Sequence, residues 1–422
     1  MVHVGRQYPY VFCVMLSICI LSGCDRKEEV FEEPVKPVAV VAETDTYTAD
    51  IFVYGPGYEP DERKIFYVTG DCLSDTFSVK NTKTGDTVFE GGLKRIKLAG
   101  KDAFEGDLTS LSATGEYDIL INDPVTKAKV TIKKGVYSEE YLSLAEKLKN
   151  IDADDDVSDY YRTQVMLLAS EMHDDYVDWA YINRKMKDTL NKELSLIDTS
   201  GMWDHVSDRL IASALLADYY CVYGDIEPNE VDGYLDASVK IYDSCMEYAD
   251  RADPLALYIA NASLNRATGQ NRYRKGAEEY DRESPHDERY SDFAFIADMI
   301  YIRSRNISDY DRCEKIVAEY LSEAGSTAKK AGTDSFYVSF DDKNEDMQKV
   351  LDSLMACSFA DYVLSGDEYL KTRRDHIHYL YGFNPDMKDF MAGYDKDIRT
   401  LSKLFFAMGT KGAENIKPEE KQ

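Results

Sequence analysis

The chain is short of positive charge, tryptophan and paired cysteine. Its 422 residues hold 50 Lys and Arg against 78 Asp and Glu, a formal net charge of -28. A surface of that sign repels a phosphate backbone, so nucleic acid is not expected as a partner. The eight cysteines are scattered, with no CxxC spacing, so a zinc site is not indicated. His376 and His378 are two apart and would not share a helix face. No metal site and no cofactor is expected. No stretch beyond the first residues has 18 consecutive apolar positions, so no spanning helix is expected.

The N-terminus reads as an address. Arg6 precedes a short apolar run, Val11 to Leu21, and Leu21-Ser22-Gly23-Cys24 follows. The pattern is that of a cleaved signal peptide. Its last four residues resemble a bacterial lipobox, which implies a lipid on Cys24 as first residue of the mature chain. Residues 1–23 would be the leader. The protein would then sit in the cell envelope, held to a membrane surface outside the cytoplasm by acyl chains. Cleavage would leave Cys72, Cys221, Cys245, Cys313 and Cys357 beyond the anchor. An odd number leaves at least one free thiol unless there is an intermolecular bond, and most are expected as small buried hydrophobes. Residues 24–47 are rich in Glu, Val and Pro and read as a flexible linker.

Residues 48–135 have a different texture. Short β-branched and aromatic runs, such as Lys64 to Val68 and Tyr117 to Ile121, alternate with turns at Gly55-Pro56-Gly57, Thr82 to Gly85 and Gly91-Gly92. Evenly spaced short strands with such punctuation predict an immunoglobulin-like β-sandwich. From 136 to 410 the apolar period is helical. Twelve segments are expected: 139–150, 158–173, 175–193, 208–223, 230–248, 253–267, 272–282, 289–305, 309–324, 345–364, 367–381 and 395–408. Short loops favour antiparallel neighbours. Twelve helices paired in this way can close into an (α/α)6 toroid of six hairpins; a plain bundle or a helical array is the alternative. Residues 411–422 form a polar tail, expected to be disordered.

One stretch concentrates chemistry. Gly201-Met202-Trp203-Asp204-His205-Val206-Ser207-Asp208 directly precedes the apolar run from Leu210 to Tyr223. Asp208 suits either of two roles. It can cap a helix starting at Arg209, or it can be a carboxylate that takes a proton from water. Asp204 is a water-positioning residue or a solvated loop charge. Trp203 and His205 bind a sugar ring or hydroxyl, or else pack structurally. Asp395 and Asp397 stand where capping and the helix dipole alone would put acids. Tyr381 lines a cleft or the core.

In order along the chain, several motifs resemble glycoside hydrolase family 9, cellulase-type enzymes with an N-terminal immunoglobulin-like domain. They are Gly57-Tyr58-Glu59-Pro60, Thr84 to Gly91, Gly201 to Asp208, Asn229 to Ala237, Ala267 to Tyr273 and Tyr379-Leu380-Tyr381-Gly382-Phe383-Asn384-Pro385. The resemblance implies an inverting β-glycosidase with Asp208 as general base and Asp204 helping to place the water. Trp203, His205 and Tyr381 would bind substrate, and a β-linked glycan or oligosaccharide would be the partner. The helical part is short for that family. The first Asp of the family's pair falls on His205, and no Asn-Glu carries the acid. Asp395 takes that place if a loop is deleted. Two tryptophans are few for the aromatic platforms that crystalline cellulose demands, which points to soluble oligosaccharides or hemicellulose side chains. The alternative is an inactive glycan-binding or scaffold lipoprotein of the same fold.

Overall fold

The computed structural model describes residues 48–98, 100–173, 178–196, 205–231, 233–304, 307–339, 347–384 and 388–409. Cys24, Trp203, Asp204 and the polar tail lie outside the described residues.

Seven strands come first: β1 (Ala49–Phe52), β2 (Ile65–Gly70), β3 (Thr76–Asn81), β4 (Thr87–Leu98), β5 (Lys101–Asp107), β6 (Gly115–Asn122) and β7 (Val125–Ile132). All pairings are antiparallel, in the order β1-β2-β5-β4-β3-β6-β7. The long β4 folds this ribbon into a sandwich. Its first half, to Gly92, pairs with β3, and its second half, from Leu93, pairs with β5. Alternation puts Tyr117, Ile119 and Ile121 of β6 inside with Phe66, Phe77 and Val79. At Gly106 a Cβ would lie 2.0 Å from the Phe66 ring, so only glycine lets the facing ring pack there.

Twelve α-helices follow among the described residues: α1 (Val136–Asn150), α2 (Asp156–Met172), α3 (Trp179–Leu196), α4 (Val206–Gly224), α5 (Tyr234–Cys245), α6 (Pro254–Thr268), α7 (Asn271–Glu278), α8 (Phe293–Ile302), α9 (Tyr310–Ala331), α10 (Met347–Leu364), α11 (Leu370–Leu380) and α12 (Ile398–Met408). Every segment read from the periodicity is a helix, and the (α/α)6 expectation stands. The even-numbered helices form the inner ring. α2, α4, α6 and α8 pack in succession, and α12 joins α10 back to α2. α8 and α10 meet through Phe295 and Phe359. The inner helices are buried nearly all round, whereas α3, α7 and α9 bury a single stripe.

Several boundaries differ from expectation, and three of them show why. α9 runs on to Ala331 through Gly325, because good helix formers continue beyond the glycine. α5 is shorter than expected and follows a separate turn at Pro228–Glu230. The segment expected from 289 is two pieces, a 3-10 turn at Glu288–Tyr290 and α8 from Phe293. The Asp287 side chain accepts the Arg289 N–H at 2.9 Å and closes that turn before α8 begins.

The sandwich is locked to the toroid by buried polar and aromatic contacts. Tyr137 of α1 donates its hydroxyl to Glu62 at 2.6 Å, and Arg63 pairs with Asp375 at 3.2 Å. The His378 ring stacks on Tyr54 at 3.9 Å. Burial pushes the Glu62 and Asp375 carboxyls up to about 7 and holds His378 down at about 3.

Candidate active site

Alternate helices of antiparallel hairpins point the same way, so the inner helices bring their N-termini to one mouth. Among the described residues, aspartates mark five of these ends: Asp155 before α2, Asp208 in the first turn of α4, Asp253 before α6, Asp292 before α8 and Asp397 before α12. Helix N-termini favour negative charge, so an acidic rim needs no catalytic explanation by itself. The hydrogen bonds separate the five. Asp155 accepts the Ser158 N–H at 2.9 Å, Asp253 the Leu255 N–H at 2.9 Å, and Asp397 the Arg399 and Thr400 N–H groups at 3.1 Å. These three close their own helix ends. Asp292 instead accepts from Arg399 at 3.1 Å and Lys403 at 2.7 Å.

Asp208 is also no cap. α4 begins at Val206, its N-cap position is His205, and the His205 side chain makes no capping hydrogen bond. Asp208 turns its carboxylate to a loop 81 residues on. One oxygen accepts the Tyr290 hydroxyl at 2.6 Å and lies 3.1 Å from an Arg289 nitrogen; the other accepts from Arg289 at 3.2 Å. Burial and the bond to Asp208 push the Tyr290 phenol above its usual value, so it stays protonated and donates. Arg289 also reaches Asp155, at 4.0 Å. Its guanidinium therefore bridges two inner helices, with 40% of the side chain exposed against 15% for Asp208. His205 is open to solvent, with Nδ1 3.6 Å from Asp208. Ser207 ties the rim together by accepting the Asp253 N–H at 2.8 Å.

Asp395 and Tyr381 belong to another part of the rim. Asp395 follows a short turn at Met391–Tyr394, is exposed, and pairs with Lys147 of α1. Tyr381 is half-buried beside the sandwich. Burial, then the charges of Glu140, Asp389 and Asp395, push its phenol up. Neither shares a hydrogen-bond partner with Asp208 among the described residues. Carboxyls raised by burial lie elsewhere. Glu62, Glu140 and Asp375 are at the domain junction, and Asp218, Asp298 and Asp361 are inside the helices.

Arg289 and Tyr290 are the residues that sequence reasoning missed. One signal pointed to them: their segment leads into an inner helix, as the Asp208 segment does, and all such segments meet at the mouth. Among the described residues no three His, Cys, Asp or Glu side chains are grouped to hold a metal ion. No helix there is long and apolar enough to cross a membrane. A cavity of about 540 Å³, walled by Tyr220, Cys221, Arg266 and Arg303, opens at the C-terminal ends of the inner helices, away from Asp208.

With this geometry in place, residues 46–125 match the family described as cellulase N-terminal ig-like domain. Several solved structures align over most of both chains. A metagenome-derived glycoside hydrolase family 9 endoglucanase has 14% identity, covers 86% of this chain and 98% of its own, and gives a TM-score of 0.66. A family 9 glycoside hydrolase from Bacteroides ovatus has 14% identity, with coverage of 85% and 99% and a TM-score of 0.64. A third, AaCel9A in complex with a cellobiose-like isofagomine, has 16% identity, with coverage of 81% and 84% and a TM-score of 0.62. The fold is that of the family 9 endoglucanases. A comparison with curated protein sequences finds no significant match.

Proposed function

We propose that the chain hydrolyses β-glycosidic bonds with inversion, and that Asp208 is the general base. The observation that carries this reading is the Asp208 carboxylate. It stands at the mouth of an endoglucanase-type toroid and faces a neighbouring loop instead of closing its own helix. In the step proposed, Asp208 takes a proton from water while the water oxygen bonds to the anomeric carbon. The glycosidic C–O bond breaks, and a second carboxyl protonates the leaving oxygen. Asp395 is the residue proposed for that second role. It must release Lys147 to serve. Asp204 would position the water, and Trp203, His205 and Tyr381 would hold the sugar. A relative of this fold binds a cellobiose-like compound, which supports a β-linked glycan as ligand. We further propose that a lipid on Cys24 holds the protein to the cell envelope; Cys24→Ala should move it from the membrane fraction to the soluble one.

A specific observation favours a second reading. Arg289 and Tyr290 occupy both oxygens of Asp208, which suits a glycan-binding protein that has lost turnover. The test is release of reducing ends from a panel of β-linked oligosaccharides, with NMR of the first product. Release with an inverted anomer supports hydrolysis. Binding without release supports the second reading.

A further inference from the structure

We infer that Arg289 determines specificity and that the glycan taken at this mouth carries a carboxylate, as a uronic acid does. The inference rests on the hydrolase reading and deepens it. The backbone of Arg289 is held at both ends. Asp287 accepts its N–H at 2.9 Å, and the Arg399 guanidinium donates to its carbonyl at 2.8 Å. Only the long side chain is free to change partners. Its present partners have other donors. Asp208 has the Tyr290 hydroxyl at 2.6 Å, and Asp155 has the N–H and hydroxyl of Ser158 at 2.9 and 3.0 Å. Arg399 is engaged by Asp292 at 3.1 Å, which leaves Arg289 as the half-exposed guanidinium touching Asp208.

A base must offer a lone pair to water, and Arg289 now lies against both oxygens of Asp208. The pair is bidentate, but its guanidinium is 40% exposed, so a second carboxylate can reach Arg289 from solvent and compete for the fork. A neutral sugar offers hydroxyls, which cannot replace a carboxylate in front of a guanidinium. A sugar carboxylate can take the fork with two parallel bonds. Binding of an acidic sugar then draws Arg289 off Asp208 and frees the base. The charge of -28 opposes approach of such a glycan. Salt screens that field beyond roughly 8–10 Å, so contact at the fork decides.

The test is calorimetric titration of the purified protein with two β-linked oligosaccharides of equal length, one neutral and one with a single glucuronic acid. The wild type should bind the acidic one about tenfold more tightly or better. Arg289→Gln should abolish that preference with the melting temperature unchanged, and Arg289→Lys should keep part of it. Equal binding of both sugars by the wild type, or a preference that survives Arg289→Gln, overturns the inference. Turnover separates it from the reading beneath it. Hydrolysis that depends on Asp208 but shows no acid preference sinks only the role of Arg289. An Arg289-dependent preference without any hydrolysis sinks only the hydrolase reading.

Discussion

Asp208 and Arg209 are neighbours on the first turn of α4, and each makes an ion pair, yet the two pairs live in different surroundings. Arg209 turns inward and donates to Glu193 of α3 at 3.1 Å, where the Tyr160 hydroxyl also donates at 3.1 Å. Both side chains are almost wholly buried, at 3% and 4% exposure. Asp208 turns to the mouth and meets the half-exposed Arg289. Breaking a buried pair strands a charge where water cannot reach it, whereas breaking an exposed one lets water replace the partner. The inward pair therefore holds the fold, and the outward pair can exchange its partner with solvent.

The comparison can be broken in several places. Glu193→Ala strands Arg209 and should cost about 3–5 kcal/mol of unfolding free energy, read by urea denaturation. A loss near zero would show that the inward pair is not structural. Asp218 offers a pH version of the same contrast. Burial raises its carboxyl from 3.8 to about 7, against the pull of Arg266 and the bonds from Ser263 and Gln164. The native chain then binds more protons than the unfolded one, so this contribution is full below pH 4 and is lost as pH rises through about 7. Asp218→Asn removes that titration. Between pH 5 and 8 the variant should gain about 2–3 kcal/mol relative to wild type, and parallel stability curves would refute it. On the mouth side, Tyr290→Phe removes one donor to Asp208. A drop in turnover of roughly tenfold is expected, with at most about 1 kcal/mol of stability lost. His205→Ala should be smallest, within about 0.5 kcal/mol, because the ring is exposed and lies 3.6 Å from Asp208.

How much of this was legible beforehand depended on the range of the physics. The helical period is local, so twelve segments could be read, and strand alternation with glycine turns did the same for the sandwich. The extra turn at Glu288–Tyr290 was hidden, because its residues fit a helix start as well as a 3-10 turn. The meeting of Asp208 with Arg289 was out of reach of spacing rules, since it spans 81 residues and three helices. Asp395 and Tyr381 were chosen by resemblance, and the structure sets them beside Lys147 and Glu140 at the sandwich side. The raised Glu62 carboxyl had no sequence signature, because its burial is made by Tyr137 and Arg374 of distant helices.

The most direct test of the account is the turnover of Asp208→Asn on whichever β-linked oligosaccharide the wild type cleaves, measured well below the melting temperature of both proteins. Loss of about a thousandfold, with a melting temperature close to wild type, is the predicted result for a base that carries no structural load. Turnover within a few fold of wild type, or loss matched by a large fall in melting temperature, would contradict it.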